Sequence, residues 1–179
     1  MSTQTELTTL ASLEHRPYLN SDGCIDDDVS GKIGIYAIFD RDRTLRYVGY
    51  SRDVYLSLKQ HLIRQPASCH WLKIQTIDRP SRKILAEISS AWIAENGTIP
   101  IGNDTEQHLW TEPIDANPAM TEDEKAQYQQ SEEVKQIKIR KQVARRVEAQ
   151  IIEQLRDRGV QMEIRFNPKL KEKGLLDLK

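Results

Sequence analysis

The sequence has little cysteine: Cys24 and Cys69 stand far apart, with no Cys-x-x-Cys pair and no companion cluster. That excludes a disulfide framework and a four-ligand structural zinc site, and it fits a reducing, cytoplasmic compartment. Long apolar runs are also missing. Nothing approaches the roughly 20 residues that a membrane-spanning helix needs, so the chain is expected to be soluble, without a membrane partner. The stretch from Met1 to Leu13 has neither a basic start nor an apolar segment, and no secretory signal is read there. Charge of one sign is lacking as well, because 26 basic residues face 27 acidic ones for a formal net of −1. With no global field to gather a polyanion, any nucleic-acid contact has to come from a local patch. No internal repeat is visible.

What is present suits one domain of ordinary size with an extension: 179 residues, 38% of them hydrophobic and 30% charged. Residues 1–30 are polar and carry the run Asp26-Asp27-Asp28, which reads as a leader. From Lys32 the pattern changes. Ile33, Ile35, Ala37 and Phe39 alternate with Gly34, Tyr36 and Ile38, as in a strand with one well-buried face. After the polar break at residues 40–43, Leu45 to Tyr50 reads as its hairpin partner. Ser51 or Asp53 can cap a helix in which Val54, Leu58, His61 and Leu62 keep helical spacing. Trp71 to Ile77 reads as a third strand, and Asp78 or Ser81 can cap a second helix running to Gly97. Residues 104–120 lack periodicity and read as a connector. From Thr121 a polar helix strengthens into a long amphipathic one that stops at Gly159, and the alternation of Val160, Met162, Ile164 and Phe166 predicts a terminal strand.

The most specific signal is Gly34-Ile35-Tyr36 followed, after ten intervening residues, by Tyr47-Val48-Gly49, on adjacent strands of one hairpin. Ser51-Arg52-Asp53-Val54 comes next, then His61 near the helix end, the third strand, the second helix and Pro100-Ile101-Gly102-Asn103. Motifs and element order together resemble the GIY-YIG nuclease family over residues 31–103. Within it, the segment is most similar to the divergent type found at the N-terminus of chloroplast monothiol glutaredoxins, although no glutaredoxin motif accompanies it. The expected fold is α+β: a small, mainly antiparallel three-stranded sheet with flanking helices, extended by the C-terminal long helix and terminal strand of residues 121–179.

The resemblance implies nucleic-acid binding and Mg²⁺-dependent phosphodiester hydrolysis. Such a site needs a water-positioning phenol, a cation opposite the charge that grows in the transition state, and a carboxylate holding a hard metal. Carried across, the family's tyrosines are Tyr36 and Tyr47, with Gly34 and Gly49 where the backbone needs close approach. The family's helix arginine falls on Ser57, which leaves Arg52, five residues earlier, as the candidate cation. His61 is the candidate base, with half-buried packing as its plainer reading. The family's metal-holding glutamate falls on Ser89. Glu87 is the candidate metal ligand, two residues and thus about 200° away around the helix; Glu95 is a second.

On the long helix, Lys138, Arg140, Lys141 and Arg145 form a basic stretch that could follow a phosphate backbone, or could be no more than the wet side of an amphipathic helix. The competing class is a catalytically inactive GIY-YIG-fold module that binds a protein partner through its old catalytic face or its C-terminal helix. A redox role finds no active-site cysteine motif.

Overall fold

The computed structural model describes residues 8–179. They form two compact units, one extending to Thr111 and the other starting at Glu112.

The first unit is α+β. Its strands are β1 (Arg16–Pro17), β2 (Ile33–Phe39), β3 (Leu45–Ser51) and β4 (Trp71–Ile77), and its helices are α1 (Val54–Arg64), α2 (Arg82–Asn96) and the short α3 (Gln107–Thr111). The sheet has four strands rather than the expected three, in the order β1-β4-β2-β3, with every pairing antiparallel. The added strand comes from the segment read as a polar leader. Arg16 and Pro17 pair with Leu72 and Trp71, and a proline at the sheet edge leaves no ladder hydrogen bond unmade. The acidic run has a structural task here, because the Arg16 guanidinium bonds the Asp26 and Asp28 carboxylates. Tyr18, fully buried, donates its hydroxyl hydrogen bond to the Leu58 carbonyl and fixes this segment against α1.

β2 also departs from the expectation of one buried face, since every residue after Ile33 is buried. Helices cover both sides. On one face, Ile35, Ala37, Phe39, Leu45 and Val48 form the core with Leu85, Ile88 and Trp92 of α2. Side chains alternate along a strand, so Tyr36 and Ile38, with their partners Gly49 and Tyr47, occupy the other face. That face receives α1, whose buried residues are Val54, Leu58, His61, Leu62 and Ile63. Asp53 caps α1, accepting from the Leu56 amide, and Gly97 ends α2 in the left-handed conformation at φ 84°. In the hairpin, the Asp40 carboxylate accepts from the Asp42 and Thr44 amides and from Arg46 Nε. These hydrogen bonds and the Arg46 charge hold it below the usual carboxylate range against the opposing effect of burial.

The second unit contains β5 (Ile114–Asp115), α4 (Glu122–Gln130), α5 (Glu133–Asp157), α6 (Pro168–Lys171) and β6 (Leu175–Leu176). The helix expected to run unbroken from Thr121 is divided at Ser131 and Glu132. The terminal strand expected over Val160–Phe166 is absent. Those residues find no ladder partner beyond a single bridge from Phe166 to Leu178, and the real strand is β6, paired antiparallel with β5. α4 opens with a capping box between Thr121 and Glu124. The Glu124 carboxylate also receives both terminal nitrogens of Arg146, at 2.7 and 3.2 Å, and this pairing lowers its pKa to about 2.

β3 is an open edge, and the chain covers it with a side chain. Asn103 Oδ1 accepts from the Val48 amide and Asn103 Nδ2 donates to the Val48 carbonyl, each at 2.8 Å. Asn103→Ala removes two edge hydrogen bonds, and we expect a loss of roughly 1–3 kcal/mol in urea unfolding. All three tryptophans lie in the first unit, so tryptophan fluorescence reports it directly.

Candidate functional site

Tyr36, Tyr47 and His61 come together on the α1 face of the sheet. Register explains why: Tyr36 lies opposite Gly49, and Tyr47 lies opposite Ile38, one step along the same face. A Cβ at Gly49 would stand 2.6 Å from the Tyr47 ring and 2.8 Å from the Tyr36 oxygen, so the motif glycine is the space in which the two phenols meet. Gly34 serves the neighbouring ladder, where a Cβ would stand 2.5 Å from the Gln75 carbonyl oxygen. From α1, His61 Nε2 lies 2.8 Å from the Tyr36 hydroxyl.

Trp110 reads from the sequence as a core or domain-contact residue, and its place beside the tyrosines is the feature that sequence reasoning missed. It lies in the aperiodic stretch read as a connector, on the five-residue helix α3, and is only 1% exposed. Its ring stacks on Tyr47 with centroids 5.2 Å apart and planes 7° from parallel, and it stands 5.7 Å from the His61 ring. Two contacts set its position. Gly102 brings the chain so close that a Cβ there would meet the Arg46 carbonyl oxygen at 2.6 Å and the indole at 2.8 Å. At the helix end, Arg64 donates to the Trp110 carbonyl oxygen at 2.9 Å. The family-like Pro-Ile-Gly-Asn run therefore has a mechanical role: Asn103 ties it to β3 and Gly102 lets the indole descend onto Tyr47.

Electrostatics follow from this closure. Burial raises the Tyr36 phenol far above its ordinary value, with Tyr47 adding to the shift and Ser57 and Arg64 opposing it. Burial, helped by the Arg64 charge, lowers His61 from 6.5 to about 3. A protonated phenol thus faces a neutral imidazole, and the pair shares a hydrogen bond rather than a charge. Of the three rings, Tyr47 is the most accessible, at 9% exposed, while Tyr36 and His61 lie deeper.

The other candidates stand elsewhere. Glu87 is exposed on α2, and the buried side of α2 packs on the sheet face opposite the tyrosines. Ser89 is buried on that helix. Glu95 accepts from the Leu10 and Ala11 amides at 3.2 and 2.8 Å, fastening the start of the chain. Ser57 bonds Ser51 at 2.6 Å. Arg52 is exposed and lines a cavity with Tyr50 and Leu85, residues of the opposite face. In the second unit, Arg140 lies over the Tyr128 ring and Lys141 pairs with Glu172, while Lys138 and Arg145 are exposed. The four do not form one free basic stripe.

No family model matches the chain. Among curated proteins it is similar to a bifunctional monothiol glutaredoxin-S16, chloroplastic, of Arabidopsis thaliana, with 31% identity over 81 residues. The match takes in 43% of this chain and 28% of the relative's length. This corrects the vocabulary that the GIY-YIG resemblance brought with it. Endonuclease, hydrolase, DNA binding and magnesium are overturned because the relative is a glutaredoxin, and because no three His, Cys, Asp or Glu side chains among the described residues are grouped to hold a metal ion. No helix among those residues is long and apolar enough to cross a membrane.

Two predictions test this geometry. Gly49→Ala forces a methyl group between two buried rings, and we expect a loss of roughly 1–3 kcal/mol of stability by fluorescence-detected unfolding. His61 has a folded pKa below its unfolded one, so protons bind the unfolded chain preferentially. Stability is full above pH 6.5 and falls as pH drops towards about 3, at up to ~1.4 kcal/mol per pH unit. In His61→Gln, the slope between pH 6.5 and 4.5 should flatten, leaving the smaller share of His15, which burial also lowers.

Proposed function

We infer that the first unit is a GIY-YIG-like module that works by binding rather than by catalysis, and that the chain is a non-enzymatic interaction protein. The observation that carries this reading is the Trp110 stack on Tyr47, which fills the place where a phosphate would have to approach the motif tyrosines. Three features support it: the neutral Tyr36–His61 pair, the Ser57 and Ser89 hydroxyls at the positions of the family's arginine and glutamate, and Glu87 on the far side of the sheet. The partner is a protein, held by the second unit, where α5 offers an exposed Val134 one turn from Lys138, with Arg145 exposed further along the helix. The relative named as a monothiol glutaredoxin makes a thiol-handling protein the first to try. Glutaredoxin activity is not assigned to the chain itself, because Cys69 is fully buried and Cys24 stands without a second thiol. Neither is in a disulfide, and a reducing, cytoplasmic setting suits them.

Supercoiled plasmid incubated with the full chain and Mg²⁺ or Mn²⁺ should remain intact, and Trp110→Ala should leave it intact as well. Metal-dependent nicking that disappears in Tyr36→Phe would contradict the reading. A monothiol glutaredoxin presented to the full chain should be retained, and truncation after Thr111 should abolish retention; retention by the first unit alone would move the docking surface away from α5.

A further inference from the structure

The α2 face of the sheet ends in a cavity of about 490 Å³, lined by Ile33, Tyr50, Ser51, Arg52, Pro80, Ser81, Arg82 and Leu85. Its composition is unequal. Ile33, Pro80 and Leu85 supply an apolar floor, and Tyr50, 41% exposed, offers the side of a phenol. Arg52 and Arg82 bring two guanidinium groups, and neither has a hydrogen bond or ion pair with a described residue. Among the described residues, no carboxylate lines the cavity. Both serine hydroxyls are committed elsewhere, Ser51 donating to the Asp53 carbonyl and Ser81 accepting from the Ile84 amide.

Elsewhere in the first unit three arginines are matched, Arg43 lies over the Trp71 ring, and the side chains of Arg41 and Arg79, like those of Arg52 and Arg82, have no hydrogen bond or ion pair with a described residue. Arg16 has Asp26 and Asp28, Arg46 has Asp40, and Arg64 has the Trp110 carbonyl. Two unmatched guanidinium groups around one hollow therefore set up a local positive potential that a bound anion would relieve. A guanidinium presents two parallel donors to an oxyanion, and a pair of them balances the charge of a dianion. α2 opens at the same rim, and the amides of its first turn add potential of the same sign.

We propose that this cavity binds a phosphate monoester carrying an aromatic group, with the phosphate between Arg52 and Arg82 and the ring on the apolar floor beside Tyr50. The site faces away from Tyr36 and Tyr47, so it stands whether or not those tyrosines are catalytically silent. Its volume lies within the range of small-molecule sites, roughly 300–1,000 Å³. It gives Arg52 a role other than the one its place after the second motif implies.

The test is a titration of the full ¹⁵N-labelled chain with phenyl phosphate, followed by amide shifts, with inorganic phosphate and phenol as separate arms. Phenyl phosphate should saturate at millimolar concentration or below and move the amides of residues 50–52 and 82–85. Inorganic phosphate should move the same amides more weakly, and phenol should scarcely move them. Arg52→Gln or Arg82→Gln should each weaken binding by about tenfold or more, and the pair should abolish it. Both side chains are exposed and unpaired, so the rest of each variant's spectrum should overlay that of the parent chain, which makes loss of binding distinguishable from loss of fold. A failure to saturate, shifts unchanged in the double variant, or equal affinity for inorganic and phenyl phosphate would overturn the proposal.

Discussion

An indole laid flat on a phenol organises the first unit's α1 face. Trp110 lies flat on Tyr47 and beside His61, which bonds Tyr36, and burial moves the Tyr36 phenol up and the His61 imidazole down from their ordinary values. The stack does not arise from α3 alone, since a five-residue helix has little stability of its own. It depends on a chain of smaller constraints: Asn103 pairing with an open strand edge, a glycine that admits the backbone beside Arg46, and Arg64 holding the helix end. Each is a short-range contact, and together they convert a groove that the hairpin would leave open into part of the core.

The two sides of the sheet consequently have different prospects. On one, Tyr36, Tyr47, His61 and Trp110 pack against one another. On the other, α2 seals the centre with Leu85, Ile88 and Trp92 but leaves its first turn beside a hollow with two unmatched cations. Chemistry-bearing residue types thus occur on both sides without forming a single catalytic constellation. Glu87 and Arg52 could not join Tyr36 and Tyr47 without the sheet passing between them.

Much of the first unit was legible in the sequence. Alternation over residues 33–39 and 45–51, the polar break between them, the helix caps at Asp53 and Ser81 and the glycine stop at Gly97 all mark elements present in the structure. That Tyr36 and Tyr47 share a surface was implied by the resemblance rather than read from spacing, and His61 joins them from α1. The fourth strand was not: two residues, one of them proline, carry no period, and what holds them in place is an ion pair with acids ten and twelve positions away. Trp110 was legible as a core residue, but its place on Tyr47 was hidden for a related reason, since that place is set by contacts with residues far back in the chain. The sheet face that α2 would cover is likewise a tertiary choice, and it moved Glu87 out of reach. In the second unit, alternation at residues 160–166 suggested a strand, but a strand needs a neighbour, and the neighbour β5 offered its edge to Leu175 and Leu176 instead.

The central claim is that Trp110 keeps the tyrosine face shut. Solvent exchange of its indole proton, observed by NMR in the full chain, tests this most directly. A closed face predicts exchange as slow as that of the β2 amides, with the same dependence on denaturant, because both require the unit to unfold. An indole proton that exchanges freely while the β2 amides remain protected would show that the face opens on its own, and would contradict the account.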